Sequence, residues 1–299
     1  MAGSGRAAYV GIMRLRALGP CALALVAAAT LLPTRHADAT VTAVTYSKAE
    51  RTQALAYWTR ERMRHAGAGL DEGTTPADQQ AWRGPRIASI GRLFFVNDKG
   101  EDTWCTATSV PAGNRSVALT AGHCAQVPAS PGNHYIFLVF VPAYARGTMP
   151  YGAYAVRAFT MPHSWERDGK EDVAALVLDP RAGHRLADVV GTQRVSFTGR
   201  PGGKVTLFGY PATRPQRGEE LMSCTATARP ARDNTQAAHC GMGGGASGGP
   251  WLARFDASQG SGTLTGVTSY GNGPIDSTIT GAELLGPLAR QVYDQAQVR

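Results

Sequence analysis

Short apolar runs separated by turn residues dominate the sequence after residue 86. The runs are ASIGRLFFV, TWCTATSV, VALTA, YIFLVFV, VAALVL, KVTLFGY and LTGVTSY. Turn sequences such as NDKG (97–100), PAGN (111–114) and RPGG (200–203) separate them, and no helical pattern intervenes. Strands at this spacing indicate an antiparallel sandwich or barrels rather than an alternating α/β fold. The chain has 299 residues, 43% of them hydrophobic, which is enough for the core of one large domain.

The first 39 residues have the organisation of an export signal. A basic stretch extends to Arg16, an apolar run follows at 17–32, and ADA at 37–39 is a small-residue cleavage site. The apolar run contains Pro20 and is shorter than the ~20 residues that a membrane-spanning helix needs. We therefore predict a cleaved signal peptide at 1–39 and a secreted protein with no stable membrane association.

Residues 40–86 have a different sequence pattern from the strand-rich region. AERTQALAYWTRERMRHA at 49–66 lacks Gly and Pro and has Leu55 and Trp58 three positions apart, which predicts one short amphipathic helix. Gly, Thr, Pro and Asp in 66–80 predict a linker. We assign 40–86 to a pro-segment or N-terminal extension, and 87–299 to the main domain. Removal of a pro-segment would make the chain a zymogen; the alternative is that the helix packs on the main domain.

A helix is predicted at the C-terminus. Gly286-Pro287 opens a run in which one helical face is shared by Leu284, Leu285, Leu288 and Val292. We expect this helix to dock on the last barrel.

The formal net charge of +8 is spread along the chain. Residues 1–39 hold four Arg and one Asp (+3), residues 40–86 hold seven basic and five acidic side chains (+2), and residues 87–299 carry the remaining +3. No basic run is interleaved with aromatic residues, as a nucleic-acid-binding surface would be. We expect a solvated surface and no nucleic-acid partner.

Four of the five cysteines lie outside the predicted signal peptide: Cys105, Cys124, Cys224 and Cys240. An even number of cysteines in an exported chain indicates disulfides. Three pairings are possible, and we expect the sequence-local one, Cys105–Cys124 and Cys224–Cys240. The alternative is a metal site, because a His directly precedes both Cys124 and Cys240. No C-x-x-C spacing supports that site, and we expect no metal.

The sharpest local motif is GASGGP at 245–250. Glycines on both sides of Ser247 allow a tight turn that exposes its hydroxyl and directs two backbone N–H groups toward one point. The motif also fits the G-x-S-x-G elbow of α/β-hydrolases, in which the general-base His follows the nucleophile. Because the last His of the chain is His239, that arrangement is excluded. An incidental Ser in a Gly-rich loop remains the alternative.

Two upstream segments carry residue types that would activate a serine hydroxyl. TAGHC at 120–124 follows an apolar strand and places His123 at its end as a candidate general base; an ordinary loop histidine is the alternative. In EDVAALVL at 171–178, Asp172 opens an otherwise apolar run, and a carboxylate there needs a partner such as a His proton. The order along the chain is His123, Asp172, Ser247, with spacings that allow separate strands to bring the side chains together.

With these motifs in this order, the chain resembles the chymotrypsin-like (trypsin-like) serine peptidases, most closely their secreted bacterial, actinobacterial branch. The resemblance rests on TAGHC (120–124), DVAALVL (172–178), GASGGP (245–250), Cys105 and TSYG (268–271), and it extends over about residues 87–299. It implies an all-β fold of two six-stranded antiparallel β-barrels, with the active site between them and the C-terminal helix appended. It also implies hydrolysis of peptide bonds in protein or peptide substrates. We expect a monomer that needs no cofactor.

The resemblance assigns a role to each motif. Ser247 would attack the substrate carbonyl, His123 would take and return the proton, and Asp172 would fix the His tautomer. The N–H groups of Gly245 and Ser247 would form the oxyanion hole. The implied substrate-binding residues are Gly241 and Met242 at the pocket floor, and Ser269, Tyr270 and Gly271 in a strand that pairs with the substrate backbone.

Two departures from the family pattern bear on activation and specificity. The commonest motif has Asp directly before the Ser, where it accepts the ammonium group released by activating cleavage. This chain has Ala246, so we do not expect cleavage near Arg86-Ile87 to create that ion pair. No carboxylate stands at 241–242, and Thr268 replaces the His that glutamyl endopeptidases usually carry. We expect small or apolar side chains before the cut rather than Arg, Lys or Glu.

Two other functions fit the same residues. A catalytically inactive binding protein on this fold stays open because of Ala246. An esterase or other acyl transferase would use the same triad and differ only in its substrate contacts.

Overall fold

Antiparallel strands make up most of the structure, a computed structural model that describes residues 40–67, 73, 76–271 and 278–299. These residues belong to one compact unit. The predicted signal peptide and part of the predicted linker (68–72 and 74–75) lie outside the described residues. Among the helices that the structure describes, none combines the length and apolar character of a membrane span.

The helices and strands follow one another in this order: β1 (Val41–Thr45), α1 (Lys48–Tyr57), α2 (Arg60–His65), β2 (Gln80–Ala81), β3 (Ile90–Val96), β4 (Asp102–Val110), β5 (Val117–Thr120), β6 (Ile136–Pro142), β7 (Tyr154–Pro162), α3 (His163–Asp168), β8 (Ala174–Leu178), α4 (Leu186–Val190), β9 (Arg194–Val195), β10 (Gly203–Gly209), β11 (Met222–Pro230), β12 (Thr235–His239), β13 (Pro250–Asp256), β14 (Ser261–Gly271), β15 (Ile279–Leu284) and α5 (Pro287–Gln297).

Two six-stranded barrels confirm the predicted fold class. The first has the strand order β7-β6-β3-β4-β5-β8 and closes through β7–β8, and the second has the order β10-β13-β14-β15-β12-β11 and closes through β10–β11. Alternate side chains of β3 enter two different cores, as the period of two requires. Leu93 and Phe95 fill the first barrel. Ile90 and Phe94 belong to the apolar cluster that includes Phe208 of the second barrel.

Residues 40–67 pack on the first barrel, and their removal as a pro-segment stays a prediction. β1 pairs with β7 along Pro162 to Ala158. Two helices replace the single predicted one, because Trp58 ends α1 and the Thr59 side chain caps α2. Trp58 is 3% exposed, and its Nε1 donates to the Phe137 carbonyl oxygen at 2.6 Å.

The C-terminal helix α5 is present, but the expectation that it docks on the last barrel was wrong. It packs against β7 and β8 of the first barrel. The Thr160 hydroxyl of β7 donates to the Val292 carbonyl oxygen at 2.8 Å. The apolar face of α5 therefore covers the outside of the first barrel, next to β7, the strand that also pairs with β1.

Candidate active site

His123 lies in the short 3-10 turn Gly122–Cys124 that follows β5. The predicted Cys105–Cys124 disulfide is present and ties this turn to β4. A Cβ on Gly122 would approach the Trp165 ring to 3.0 Å, so the glycine allows the turn to pack directly on the indole. The His123 side chain is 28% exposed. The turn is therefore fixed while the imidazole stays accessible.

Asp172 precedes β8, and its side chain is 9% exposed. Oδ1 accepts a hydrogen bond from the His123 backbone N–H at 2.9 Å, and Oδ2 accepts one from His123 Nδ1 at 2.7 Å. The Ser269 hydroxyl donates to the same Oδ2 at 2.6 Å. The carboxylate thus has the His partner that its position in an apolar run required, together with a second side-chain donor.

A β-bulge explains why Ser269 reaches Asp172. The register of the β14–β15 ladder shifts between Thr268, which pairs with Ala282, and Tyr270, which pairs with Gly281. A bulge of this kind re-aims the side chain of the extra residue. The sequence placed Ser269 in the substrate-binding strand, and the structure adds the contact with Asp172.

The electrostatics of the pair are mutually reinforcing. Burial alone would lower the pKa of His123, but the charge of Asp172 and its hydrogen bond raise that pKa above its ordinary value. Burial alone would raise the pKa of Asp172, but the charge of His123 and the hydrogen bonds from His123 and Ser269 hold it below its ordinary range. Asp172 therefore stays ionised and keeps a proton on Nδ1, which leaves Nε2 of the neutral imidazole as an acceptor.

Ser247 lies in the loop between β12 and β13, and contacts from the first barrel fix this loop. The Thr106 hydroxyl donates to the Gly245 carbonyl oxygen at 2.9 Å, and the Thr106 N–H donates to the Ser247 carbonyl oxygen at 2.8 Å. A Cβ on Gly248 would lie 2.0 Å from the Thr120 hydroxyl oxygen. The loop therefore needs a glycine there to approach the strand that leads into His123.

Among residues 245–249, two backbone amides are left without an acceptor in the described part of the chain. The N–H groups of Ala246, Gly248 and Gly249 donate to backbone carbonyls. Those of Gly245 and Ser247 have no acceptor among the residues that the structure describes. Gly245 has a φ of +84°, a left-handed conformation that favours glycine. Both amides that the sequence predicted for the oxyanion hole therefore lack an acceptor among the described residues, and their role stays a prediction.

The Ser247 hydroxyl and His123 are not hydrogen-bonded to each other in the described part of the chain. Nucleophile–base hydrogen bonds are often long or misaligned without substrate and tighten when it binds. The two residues are nevertheless on adjoining elements, since a Cβ on Gly248 would lie 2.9 Å from the Ala121 nitrogen.

The remaining predicted site residues lie around this centre. A cleft of about 760 Å³ is bordered by His123, Asp172, Ser269 and Tyr270. Within the described ranges, β13 pairs with β14 only as far as Val267, so residues 269–271, Gly271 included, have a strand edge without a partner strand on that side.

Gly241 and Met242 begin the segment that leads to Ser247, and both are buried. The Met242 N–H donates to the Thr280 hydroxyl at 3.0 Å. The second predicted disulfide, Cys224–Cys240, is present and joins β11 to the residue directly before Gly241.

Sequence reasoning missed Glu283 of β15, which borders the same cleft and is 5% exposed. Its Oε1 accepts a hydrogen bond from Asn234 Nδ2 at 2.8 Å. Burial, reinforced by the charge of Asp172, raises the pKa of Glu283 to about 7, against the opposing effect of the Asn234 donor. An acid inside the strand ITGAEL is the signal that could have identified it.

Comparison with solved structures identifies the family. The protease Anisep from Arthrobacter nicotinovorans is 36% identical to this chain, with a TM-score of 0.67, and the match covers 74% of this chain and 100% of Anisep. The chain belongs to the chymotrypsin-like serine proteases. The thermostable serine protease AL20 from an extremophilic microorganism is 31% identical over 71% of this chain and 98% of its own, with a TM-score of 0.65. A Glu endopeptidase shares the fold at 18% identity and a TM-score of 0.58, over 76% of this chain and 99% of its own. No protein-family model and no curated protein matches the sequence.

This chymotrypsin-like serine protease is a serine-type hydrolase, and its departure at Ala246 is visible in the packing. Ala246 is fully buried, and a Cβ on Gly209 would lie 2.7 Å from its methyl group. A carboxylate at this position would be a buried charge in a space that only a methyl group fills.

Proposed function

We propose that the protein is a secreted serine endopeptidase that hydrolyses peptide bonds through Ser247, His123 and Asp172 and an acyl-enzyme intermediate. The observation that carries the proposal is the hydrogen bond of 2.7 Å between His123 Nδ1 and Asp172 Oδ2, together with a loop in which the Gly245 and Ser247 amides lack an acceptor among the described residues. Fold membership alone would not require either feature.

The reaction divides into two displacements. Ser247 Oγ attacks the scissile carbonyl while His123 Nε2 accepts its proton, and the protonated imidazole then delivers that proton to the leaving amine. The C–N bond breaks and an ester on Ser247 remains. A water molecule, deprotonated by the same Nε2, then attacks the ester. The bond between the acyl carbon and Ser247 Oγ breaks, the imidazolium returns its proton to Oγ, and the acid is released.

Asp172 and the Gly245 and Ser247 amides stabilise the charges that form during the reaction. The hydrogen bond of 2.7 Å between His123 Nδ1 and Asp172 Oδ2 fixes the tautomer and stabilises the imidazolium that forms. The N–H groups of Gly245 and Ser247 stabilise the negative oxygen of each tetrahedral intermediate, where one donor contributes about 10²–10³ in rate.

Substrate is expected to bind as an added antiparallel strand along residues 269–271. Gly241 and Met242 form the floor of the pocket for the side chain before the cut. Because neither residue carries a charge, we propose a preference for small or apolar side chains.

The two disulfides, the predicted signal peptide and the bacterial proteases among its structural relatives support an extracellular location. Disulfides persist in oxidising compartments. N-terminal sequencing of the secreted chain tests the location: we expect no residue of 17–32, and retention of the apolar run in a cell-bound form would contradict it.

Casein hydrolysis by the wild type, Ser247→Ala and Ser258→Ala tests the activity. Ser258 is exposed at the β13–β14 turn and provides the matched control. We expect the control to retain full activity and Ser247→Ala to lose about 10⁶ in kcat. If the wild type hydrolyses a small ester but not casein, it is an esterase instead. If the wild type hydrolyses neither, it is a binding protein.

A further inference from the structure

Two side chains from the N-terminal segment hold Gly241, at the floor of the proposed specificity pocket. Gln79 Nε2 donates to the Gly241 carbonyl oxygen at 2.6 Å. The Asp78 carboxylate accepts from the Gly241 N–H, with both oxygens at 3.3 Å. Both backbone polar groups of this residue are therefore paired with consecutive residues that lie before the proposed peptidase domain.

The burial of Gln79 sets it apart from its neighbours. It is 5% exposed, whereas Asp78 and Gln80 are exposed. Burying an amide group is costly unless it is hydrogen-bonded. The Gly241 carbonyl oxygen is the partner of Gln79 Nε2, whereas the buried Oε1 has no partner among the residues that the structure describes.

The chain around Gln79 is fastened to the second barrel. β2 pairs with Met222 and Ser223 of β11, directly before Cys224, whose disulfide partner Cys240 precedes Gly241. The backbone N–H of Trp82 donates to the Leu221 carbonyl oxygen at 2.8 Å. The Trp82 ring packs edge-on against the side chains of two second-barrel residues, Phe208 and Phe255.

If cleavage created a new N-terminus at Ile87, an ion pair from that N-terminus could not fix the position of the loop from 241 to 247. Ala246 has no charge to offer. Ile87 is buried next to Gly260, where a Cβ would lie 2.9 Å from Ile87 Cγ1. Gly260 stands at the β13–β14 turn and Ser247 precedes the opposite end of β13, a seven-residue strand that spans roughly 20 Å.

We propose that residues 76–82 are a permanent part of the active enzyme and position the loop from 241 to 247 through Gln79 and Asp78. The inference rests on the proposed function. Gln79 and Asp78 are positioning residues, since they act through Gly241. The segment thus does not inhibit the site, and its loss inactivates the enzyme.

Gln79→Glu and Gln80→Glu form a matched pair that tests the proposal in the full-length chain. Both substitutions add one negative charge without changing side-chain shape, but only the first removes the donor to Gly241. For peptides with an apolar residue before the cut, we expect Gln79→Glu to lower kcat/KM by about 10–100-fold, the effect of an unsatisfied buried carbonyl. We expect Gln80→Glu to match the wild type. For peptides with glycine before the cut, which do not fill the pocket, the loss should be at least about threefold smaller.

Asp78→Ala keeps the test decisive if Gln79→Glu does not fold, because Asp78 is exposed. We expect a 3–10-fold loss of kcat/KM, the effect of one ordinary hydrogen bond, with an unchanged Tm. The N-terminus of the most active secreted form should lie before residue 76.

The proposal is overturned if Asp78→Ala retains wild-type kcat/KM, if Gln79→Glu folds and equals Gln80→Glu, or if a fully active form begins at Ile87. Absence of activity in the wild type would instead refute the proposed function, so the two failures are distinguishable.

Discussion

Asp172→Asn is the substitution whose effect follows most directly from the hydrogen bonds of the site. An asparagine has one acceptor oxygen and one donor NH₂, whereas the Asp172 carboxylate accepts from the His123 backbone N–H, from His123 Nδ1 and from the Ser269 hydroxyl. If the asparagine oxygen accepts the hydrogen bond from the His123 backbone N–H, the asparagine NH₂ group faces His123 Nδ1. The reverse orientation would place two donors 2.9 Å apart.

The consequence is the wrong histidine tautomer. Nδ1 must then accept, the imidazole proton moves to Nε2, and His123 has no lone pair for the Ser247 proton. Substitutions of this kind lower kcat by about 10⁴, which corresponds to about 5 kcal/mol of transition-state stabilisation. Ser269→Ala removes only one donor to the carboxylate and should cost about tenfold, the effect of one hydrogen bond to a charged group.

Steady-state hydrolysis of an apolar peptide anilide measures these losses, with Asp188→Asn as a surface control. Asp188 bonds Arg115 on the surface, so the control should match the wild type. Near-UV circular dichroism verifies that each variant is folded. A folded Asp172→Asn enzyme within tenfold of the wild-type kcat would refute the assignment of Asp172.

Three further predictions concern pH dependence and stability. Because Asp172 raises the pKa of His123, the acid limb of the kcat/KM profile should lie above the ordinary value of about 6.5; a limb at or below that value would contradict the pairing. Glu283 has a folded pKa of about 7, above its ordinary 4.5, so stability present below pH 4.5 is lost as the pH rises toward and through 7. Glu283→Gln should remove that loss and gain stability relative to the wild type at pH 8 but not at pH 4 in urea unfolding; equal differences at both pH values would refute the burial of a charge. Trp58→Ala should destabilise the protein by about 3–5 kcal/mol, measured in the same way, and an unchanged midpoint would show that residues 40–67 are not part of the folded unit.

The antiparallel, strand-rich fold class was predictable because strand patterning is local, whereas the two six-stranded barrels were implied by the family resemblance. Apolar runs such as ASIGRLFFV show their period and their turns within ten residues, and β3 forms within that run. The disulfides followed from sequence proximity, and both expected pairs are present. The proximity of His123 and Asp172 followed from a carboxylate that had no other reason to enter an apolar strand.

Features that depend on long-range partners were not predictable. The apolar face of α5 was visible in the sequence, but nothing there indicated that β7 and β8 would cover it. The bulge at Ser269 is a property of the β14–β15 register, which has no signature in TSYG. Gln79 stands in a polar stretch without periodicity, so its burial against Gly241 required the folded chain to be seen.

Covalent labelling with a serine-directed phosphonate, followed by peptide mapping and a crystal structure of the adduct, tests the central claim most directly. The account predicts one adduct per chain, on Ser247 Oγ, with the phosphonyl oxygen within about 3 Å of the Gly245 and Ser247 nitrogens. It also predicts that labelling abolishes casein cleavage. An adduct on another residue, or casein cleavage that continues after Ser247 is fully labelled, would contradict it.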